Sequence, residues 1–235
     1  PTGDPAAAAP AQYHRQVVRI MLVAVAEARA MPLSLASSGP AAGAVAAGEV
    51  SMAAGLPDAL CCDMGGTSID VAVVRNGIPE RRTSANIEGM ITGQPAIDVE
   101  SIGAGGGSIA WIDDRGMLRV GPNSARATPG PVCYGRGGTE PTVTDAMILL
   151  GYIDPKAFMG GAMKLDVAGA HAACARLGER IGLSALGVAY GIREIALAEM
   201  SKAMRARISS GGIDVRKYGV VAFGGSGSLF ATSMA

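Results

Sequence analysis

Aromatic residues and net charge are both scarce in this chain of 235 residues. Phe, Trp and Tyr make up 4% of it, and 20 basic and 20 acidic side chains cancel to a formal net charge of +0. Nucleic-acid-binding surfaces combine basic patches with aromatic stacking platforms, and many membrane-surface segments are basic. The composition therefore argues against a nucleic-acid partner and against an electrostatic membrane surface.

Long apolar segments are also missing near the start of the chain. The longest run there, residues 20–26, has seven residues, whereas a transmembrane helix needs about 20. Residues 1–10 are rich in Ala and Pro and lack the basic start of a signal peptide. We therefore expect a cytoplasmic protein without a membrane segment, in which residues 1–37 form a lead-in to the folded part.

Metal-ligating side chains are few. The chain has four cysteines and two histidines, with no Cys-x-x-Cys spacing, so a zinc site is not expected. Buried, reduced thiols are the favoured interpretation of the cysteines. These are Cys61, Cys62, Cys133 and Cys174.

Apolar and glycine residues are abundant instead. Hydrophobic residues make up 49% of the chain, the mean hydropathy is +0.31, and there are 34 glycines. This composition predicts one large domain or two small ones with a substantial core.

The segment 63–70 is the most informative in the chain. Gly65 and Gly66 lie between two apolar runs, 59–62 and 69–74, that are typical of buried strands. Because glycine lacks a Cβ, the backbone can turn tightly there and direct successive N–H groups at an anion. The pattern predicts a hairpin that binds a phosphate group.

Four side chains around these glycines add chemistry. The hydroxyls of Thr67 and Ser68 are further donors to an anion. The carboxylates of Asp63 and Asp70 would repel a phosphate, so we expect them to hold Mg²⁺ or to orient an attacking water. An ordinary hairpin whose aspartates cap turns is the alternative.

Helices and a tight turn are predicted around this hairpin. Residues 41–54 predict a helix that ends at Gly55, and Asn76-Gly77 predicts a two-residue hairpin turn. Further along, Thr144 or Asp145 is expected to cap a short helix. A second helix is expected to begin at Asp166 and to end near residue 181.

A long helix follows, and its apolar residues recur at helical spacing from Ile192 to Ile208. We interpret the methionines on that face as core. Lys202, Arg205 and Arg207 are expected in solvent, with phosphate binding as the alternative.

Residues 84–140 are rich in glycine and predict loops and short strands. The segment 102–109 carries four glycines. Ser108 stands where a dinucleotide fingerprint has its third glycine and no long helix follows, so a site loop or a close backbone crossing is favoured over dinucleotide binding. A second turn is expected at 113–116.

The end of the chain combines a strand, residues 218–223, with the glycine-rich segment 224–228 and then apolar residues. A strand followed by a glycine turn and a helix is typical of a nucleotide contact, although a packed turn explains it equally well. We expect this turn and the hairpin at 65–66 to converge on one bound triphosphate.

The order of these two elements resembles the ATPase superfamily of actin, sugar kinases and Hsp70. The closer resemblance is to the hydantoinase A and 5-oxoprolinase family, which includes acetone and acetophenone carboxylase subunits. Matching stretches are SGPAAG (38–43), DMGGTSIDV (63–71), IGAGGGSIA (102–110), PGPVCYGRGG (129–138), PTVTDA (141–146) and AFGG (222–225). The resemblance implies an α/β fold, an actin/Hsp70-like ATPase lobe with a ribonuclease H-like mixed sheet and flanking helices. It would cover residues 38–235, with a glycine-rich loop insertion at about 84–140.

The resemblance also implies ATP-dependent chemistry on a cyclic amide or a ketone, in hydrolysis or in carboxylation. Asp63 and Asp70 would then be catalytic, with Asp63 on Mg²⁺. Residues implied to bind ATP are Gly65, Gly66, Thr67, Ser68, Gly105, Gly106, Arg136, Gly224, Gly225, Ser226 and Gly227. For Arg136 a salt bridge to a neighbouring carboxylate is the alternative to a phosphate clamp. Asp145 would line or brace the cleft.

Two departures from the family shape the expected partners. Members usually begin with a lobe that has its own Asp-x-Gly-Gly-Thr hairpin, and residues 1–37 contain none. We therefore expect a companion ATPase lobe or a second enzyme subunit, a hetero-oligomer, and little turnover by the isolated chain. Phe230 stands where the family commonly has histidine, which puts a proton-transfer or metal role there in doubt.

These departures leave a second hypothesis beside the enzyme lobe, a non-catalytic structural or assembly subunit. A sugar kinase or Hsp70-like lobe ranks third, because it does not explain the glycine-rich and Pro-Gly-Pro loops. For the enzyme, the expected substrate is a small amide or carbonyl compound.

Overall fold

A computed structural model describes residues 29–30, 32, 38–87, 90–93, 95–210, 212 and 214–234. Most of the lead-in expected over 1–37 lies outside these residues. The chain divides into two compact units that alternate along the sequence. Unit 1 comprises residues 1–63, 70–100 and 207–221, and unit 2 comprises residues 64–69, 101–206 and 222–235.

Short strands dominate the first half of the chain and helices the second. The strands are β1 (Ala59–Met64), β2 (Ile69–Arg75), β3 (Ile78–Pro79), β4 (Arg81–Arg82), β5 (Ala85–Ile87), β6 (Met90–Thr92), β7 (Ala96–Ile97), β8 (Val99–Ile102), β9 (Ser108–Ile112), β10 (Leu118–Ser124) and β11 (Gly219–Phe223). The helices are α1 (Ser38–Ala53), α2 (Val143–Leu149), α3 (Val167–Glu179), α4 (Ala185–Ser210) and α5 (Ala231–Met234). Within the described ranges, none of the helices combines the length and apolar character that crossing a bilayer requires.

The main sheet has the strand order β11–β1–β2–β3, and β8 also pairs with β2. Most side chains of β1 and β2 are buried, as their apolar runs predicted. The two strands are neighbours joined by four residues, 65–68, and a connection this short requires an antiparallel hairpin. The predicted hairpin is confirmed.

The turn that follows β2 is also confirmed. Asn76 and Gly77 have φ values of 50° and 76°, the left-handed conformation that a two-residue hairpin turn needs. A Cβ added at Gly48 of α1 would lie 2.1 Å from the carbonyl oxygen of Gly77. Glycine is therefore required where α1 packs against this turn.

Unit 2 contains an antiparallel hairpin and two short helices. β9 and β10 pair, with Leu118 opposite Ile112, and the predicted turn between them is closed by the carboxylate of Asp113, which accepts the N–H of Arg115 and Met117. Helices α2 and α3 enclose a cluster formed by Cys133, Ile148, Leu165 and Ala170.

The helix caps were predicted in part. Asp166 caps α3 by accepting the N–H of Gly169, as expected. The prediction for α2 was wrong, because its N-cap is Thr142 and not Thr144 or Asp145. Thr142 is extended and accepts the N–H of Asp145, whose own side chain accepts the N–H of Thr142 in return. This reciprocal capping box makes Asp145 the third helical residue.

The apolar face of α4 is core, as predicted, and Met200 and Met204 are buried. Arg207 was predicted to be in solvent, and this was wrong because it is 7% exposed. Its guanidinium donates to Glu80 at 2.8 Å and to Asp98 at 2.7 Å within unit 1. Two carboxylates supplied by the strand region compensate the buried charge, as a buried cation requires.

Candidate functional site

The tip of the β1–β2 hairpin exposes backbone N–H groups. The N–H of Gly65 donates to the carbonyl of Ser68 at 3.0 Å and closes the turn. Gly66 and Thr67 form the exposed tip. Among the residues that the structure describes, neither their N–H groups nor the Thr67 hydroxyl have a hydrogen-bond partner.

A glycine loop, residues 105–107, supports the tip from one side. The N–H of Gly106 donates to the carbonyl of Gly65 at 3.0 Å, and the N–H of Gly107 donates to the carbonyl of Gly66 at 2.6 Å. In a planar trans peptide the C=O and the following N–H point in opposite directions. Because both carbonyls face the loop, the N–H groups of Gly66 and Thr67 point away from it, side by side.

The three glycines of this loop are needed for close packing. A Cβ at Gly105 would lie 2.6 Å from the backbone nitrogen of Thr67, and one at Gly107 would lie 2.8 Å from the carbonyl oxygen of Gly66. At Gly106 it would lie 2.5 Å from the hydroxyl oxygen of Ser226. The loop is a close backbone crossing, which was one of the two predicted interpretations.

Loop 105–107 also has its own N–H groups occupied. The N–H of Gly105 donates to the Ser108 hydroxyl at 2.9 Å, and those of Gly106 and Gly107 bind the hairpin. All three glycines are buried. Gly105 and Gly106 were predicted to bind the nucleotide, which stays a prediction, and in this structure their N–H groups already have partners inside the protein.

The C-terminal glycine turn meets the hairpin from another direction. The N–H of Ser226 donates to the carbonyl of Met64, at the end of β1, at 2.9 Å. Ser226 and Gly227 are buried, whereas Gly224 and Gly225 are exposed, and the N–H groups of these exposed glycines have no partner within the described ranges. The structure thus brings together the hairpin tip, loop 105–107 and the C-terminal turn, all in unit 2.

Asp63 lies on β1 and Asp70 on β2, on either side of the hairpin turn 65–68, and both are half-buried. Burial raises the pKa of Asp63 above its usual value, and the negative charge of Asp70 raises it further. Neither carboxylate forms an ion pair in the described part of the chain. The two like charges are therefore close together and uncompensated.

Arg136 lies in the glycine-rich segment that follows the Pro-Gly-Pro loop. Its side chain is exposed, and its guanidinium carbon is 6.0 Å from the centre of the Tyr134 ring. Over the described residues it has no ion pair and no hydrogen bond to the hairpin. The salt bridge named as the alternative for Arg136 is therefore not formed among the described residues, and its role as a phosphate clamp stays a prediction.

Asp145 is fully buried and holds two segments together. Its carboxylate accepts the N–H of Val132 at 3.1 Å, of Cys133 at 2.7 Å and of Thr142 at 2.9 Å, and the Thr142 hydroxyl at 2.8 Å. These bonds fix the Pro-Gly-Pro loop to the start of α2. Asp145 therefore acts as a brace.

Thr144 was missed as a site residue. Its N–H and its hydroxyl both donate to the carbonyl of Gly106, at 2.8 and 2.9 Å, and so hold loop 105–107 against the hairpin. The sequence marked it as a candidate helix cap and as part of the Pro-Thr-Val-Thr-Asp-Ala motif. Within the described ranges no cluster of three or more His, Cys, Asp or Glu residues is placed to hold a metal ion.

Phe230 and the cysteines belong to the core. Phe230 is fully buried, so a side chain at this position packs inside the protein. All four cysteines are free and buried, as predicted, and burial raises the pKa of the Cys62 and Cys174 thiols to about 12.

Comparison with known proteins gives consistent matches. The profile of the family described as Hydantoinase/oxoprolinase matches residues 21–235. The chain is 39% identical over 200 residues to caprolactamase subunit alpha of Pseudomonas jessenii, a match that covers 85% of this chain and 29% of that protein.

Two solved structures share the fold. One is nucleotide-free acetone carboxylase, from a study of ATP-dependent acetone carboxylation, with a TM-score of 0.76 and 29% identity over 83% of this chain and 28% of that one. The other is the ATP-dependent caprolactamase of Pseudomonas jessenii, with a TM-score of 0.73 and 40% identity. This match covers 84% of this chain and 29% of the caprolactamase chain. The chain thus spans less than a third of each of these relatives. The matches confirm the predicted α/β fold of an actin/Hsp70-like ATPase lobe.

Proposed function

The chain belongs to the hydantoinase/oxoprolinase family, as its sequence motifs predicted, and we propose that it is one lobe of a larger ATP-dependent enzyme that activates an amide or carbonyl substrate. The observation that carries this proposal is the set of exposed, unpartnered N–H groups at Gly66, Thr67, Gly224 and Gly225 among the described residues of unit 2. Successive backbone N–H groups of this kind form anion-binding concavities.

The phosphates of ATP are the anion that fits this site. The N–H groups of Gly66 and Thr67 point away from loop 105–107, and a Cβ at Gly65 or Gly66 would meet nothing within 4 Å. No neighbouring atom therefore crowds the two glycines of the hairpin tip, which leaves their backbone open to an approaching phosphate group. Hydrogen bonds from N–H to a charged oxygen are about twice as strong as those between neutral groups.

The C-terminal turn is proposed to hold the nucleoside. Gly225 has open space where a Cβ would be, and Gly224 has a φ of 82°, so a ligand can approach this backbone closely. Ser226 ties the turn to the end of β1. This bond keeps the nucleoside contact next to the phosphate contact.

Asp63 and Asp70 fit a magnesium ion. Mg²⁺ binds through one or two carboxylates and otherwise through waters and substrate phosphates, which agrees with two carboxylates and no larger ligand cluster in the described residues. Burial raises the pKa of Asp63, the negative charge of Asp70 raises it further, and a bound cation would favour the charged carboxylate instead. When bound, Mg²⁺ would neutralise charge on the phosphates.

The proposed reaction transfers the terminal phosphoryl group of ATP to the substrate. The carbonyl oxygen of an amide would form a bond to the terminal phosphorus of ATP while the bond between that phosphorus and the departing ADP breaks. Water would then add to the carbon, the C–N bond would break with the amine as the leaving group, and a second water would release the phosphate and leave a carboxylate. The residues of this chain would position the triphosphate and, through Asp70, orient a water.

A companion lobe is part of the proposal. The related caprolactamase protein is named subunit alpha, and this chain spans 29% of it. We infer that residues 38–235, with loops inserted at about 84–140, pair with a second ATPase lobe or subunit, and that the isolated chain has little turnover.

Calorimetric titration with ATP and Mg²⁺ tests this proposal. We expect Asp63→Ala to weaken ATP binding at least about tenfold, because the metal loses its carboxylate. Asp114→Ala, at an exposed aspartate of the β9–β10 turn, is the matched control and should bind like the wild type. Equal affinity of Asp63→Ala and the wild type for Mg·ATP would remove the proposed metal site.

A further inference from the structure

Unit 2 contains a cavity of about 270 Å³ that the proposed nucleotide site does not use. It lies between the segments 124–130 and 138–140, is partly open to solvent, and has Ile109 of β9 as a further lining residue. Drug-sized ligands occupy pockets of about 300–1,000 Å³. This cavity therefore suits a smaller molecule.

The backbone fixes the walls of the cavity. The N–H of Ala125 donates to Gly107 at 2.8 Å, and the N–H of Gly130 donates to Ala125 at 3.1 Å. A Cβ at Gly138 would lie 2.2 Å from the carbonyl oxygen of Gly130, so the two segments touch. The guanidinium of Arg176 holds the second segment through the carbonyl of Thr139 at 3.0 Å.

Two side chains of opposite charge line this cavity and do not form an ion pair with each other. Arg126 and Glu140 are both lining residues, and neither forms an ion pair or a side-chain hydrogen bond in the part of the chain that the structure describes. Both residues are exposed, and the other lining residues are uncharged, among them Ile109, Ala125 and Pro129. A guanidinium binds a carboxylate, and a carboxylate binds an ammonium group.

The backbone of Arg126 is strained. Its φ is 56°, a left-handed conformation that is uncommon for a non-glycine residue and costs about 1–3 kcal/mol. The N–H of Arg126 donates to the hydroxyl of Ser124 at 3.1 Å, which helps to hold this conformation. Strain of this kind concentrates at ligand sites.

We propose that this cavity binds a small zwitterionic amino acid, with its carboxylate on Arg126 and its ammonium group on Glu140. This inference rests on the proposed function in one respect: hydrolysis of a cyclic amide breaks the C–N bond and leaves one carboxylate and one amine, so the ligand has the chemical character of the ring-opened product. Gly107 connects the two sites. Its N–H binds Gly66 of the hairpin and its carbonyl binds Ala125 of the cavity.

Binding of 6-aminohexanoate to the full chain, measured by calorimetry without nucleotide, tests the proposal. Its flexible chain can adapt to the separation between Arg126 and Glu140. Hexanoate lacks the ammonium group and hexylamine lacks the carboxylate. We expect 6-aminohexanoate to bind at least about tenfold more tightly than either, because each charge-assisted hydrogen bond contributes.

Two variants test the contributions of the two charged side chains one at a time. Arg126→Asn keeps a residue type that tolerates positive φ and should weaken 6-aminohexanoate and hexanoate at least about tenfold, with hexylamine unchanged. Glu140→Gln, at an exposed position, should weaken 6-aminohexanoate and hexylamine. Arg115→Asn in the exposed β9–β10 turn is the control and should change nothing.

The proposal is overturned if the wild type does not bind 6-aminohexanoate, if hexanoate binds equally well, or if both variants bind like the wild type. Asp63→Ala separates this result from the proposed function, since it should weaken Mg·ATP and leave 6-aminohexanoate unchanged. Loss of amino-acid binding in Asp63→Ala would contradict two separate sites.

Discussion

The glycines of the hairpin tip and those of loop 105–107 look alike in the sequence and do opposite things in the fold. At Gly65 and Gly66 a Cβ would meet nothing within 4 Å, whereas at Gly105 it would lie 2.6 Å from backbone atoms of Gly66 and Thr67. The first pair leaves room for a ligand, and the loop glycines are there for packing. A glycine-rich motif therefore contains binding residues and the residues that support them.

The largest effect should come from the supporting loop. Gly105→Ala places its Cβ against backbone that cannot rotate away, so we expect the free energy of unfolding to fall by about 3 kcal/mol. Gly103→Ala is the matched control, because its nearest neighbour would be 4.0 Å away. Urea denaturation measures both. Equal stability of the two variants would show that the loop does not press on the hairpin.

The brace at Asp145 should come next. Asp145→Asn turns an NH₂ group toward backbone N–H donors and removes acceptors from a fully buried site, which should cost about 2 kcal/mol of stability. Asp154→Asn, where an exposed carboxylate accepts one N–H from Lys156, should change stability by less than about 0.5 kcal/mol. A comparable loss of stability in Asp145→Asn and Asp154→Asn would argue against a special role for Asp145.

The hairpin tip should respond in the opposite way to the loop. In Gly66→Ala the added Cβ would have no neighbour within 4 Å, and the φ of Gly66 is not positive. The free energy of unfolding should therefore stay the same or rise by about 0.4–1 kcal/mol. Affinity for Mg·ATP should fall about tenfold, because the added methyl group occupies the space proposed for phosphate. Thermal unfolding and calorimetry on the same samples separate the two effects. A stability loss as large as that of Gly105→Ala would remove the distinction between the two groups.

The smallest effect concerns the charge of Asp63. A carboxyl group whose pKa is raised by folding adds stability only while it is protonated, and this contribution is lost as pH rises through its pKa in the folded protein. Without metal, Asp63→Asn should therefore unfold at a slightly higher temperature than the wild type at pH 7, and the difference should shrink below pH 3.8, the usual value for the group. A wild type that is more stable than the variant at pH 7 would contradict the assigned shift.

Much of the fold could be predicted because its signals are local. The strands on either side of Gly65 and Gly66, the Asn76-Gly77 turn and the Asp166 cap depend on neighbouring residues, and all three were confirmed. Arg207 could not be placed in this way. Its carboxylate partners Glu80 and Asp98 lie more than 100 residues earlier in the chain, and no local pattern marks such a pair.

The sequence predicted which segments meet at the candidate site and not how their backbone groups are bonded. The convergence of the hairpin and the C-terminal turn was expected, and it follows from the bond between Ser226 and Met64. The sequence could not show that the N–H groups of Gly105 and Gly106 are occupied, because their partners are set by how the loop crosses the hairpin. For the same reason Thr144 was not recognised as a support of that loop.

The most direct test of the central claim is an NMR titration of the ¹⁵N-labelled chain with Mg·ATP. The account predicts that the amide signals of Gly66, Thr67, Gly224 and Gly225 shift most, because their N–H groups bind the nucleotide. The signals of Gly105 and Gly106 should move less, since those N–H groups are already bonded inside the protein. Saturating Mg·ATP that leaves the four exposed amides unmoved would contradict the account.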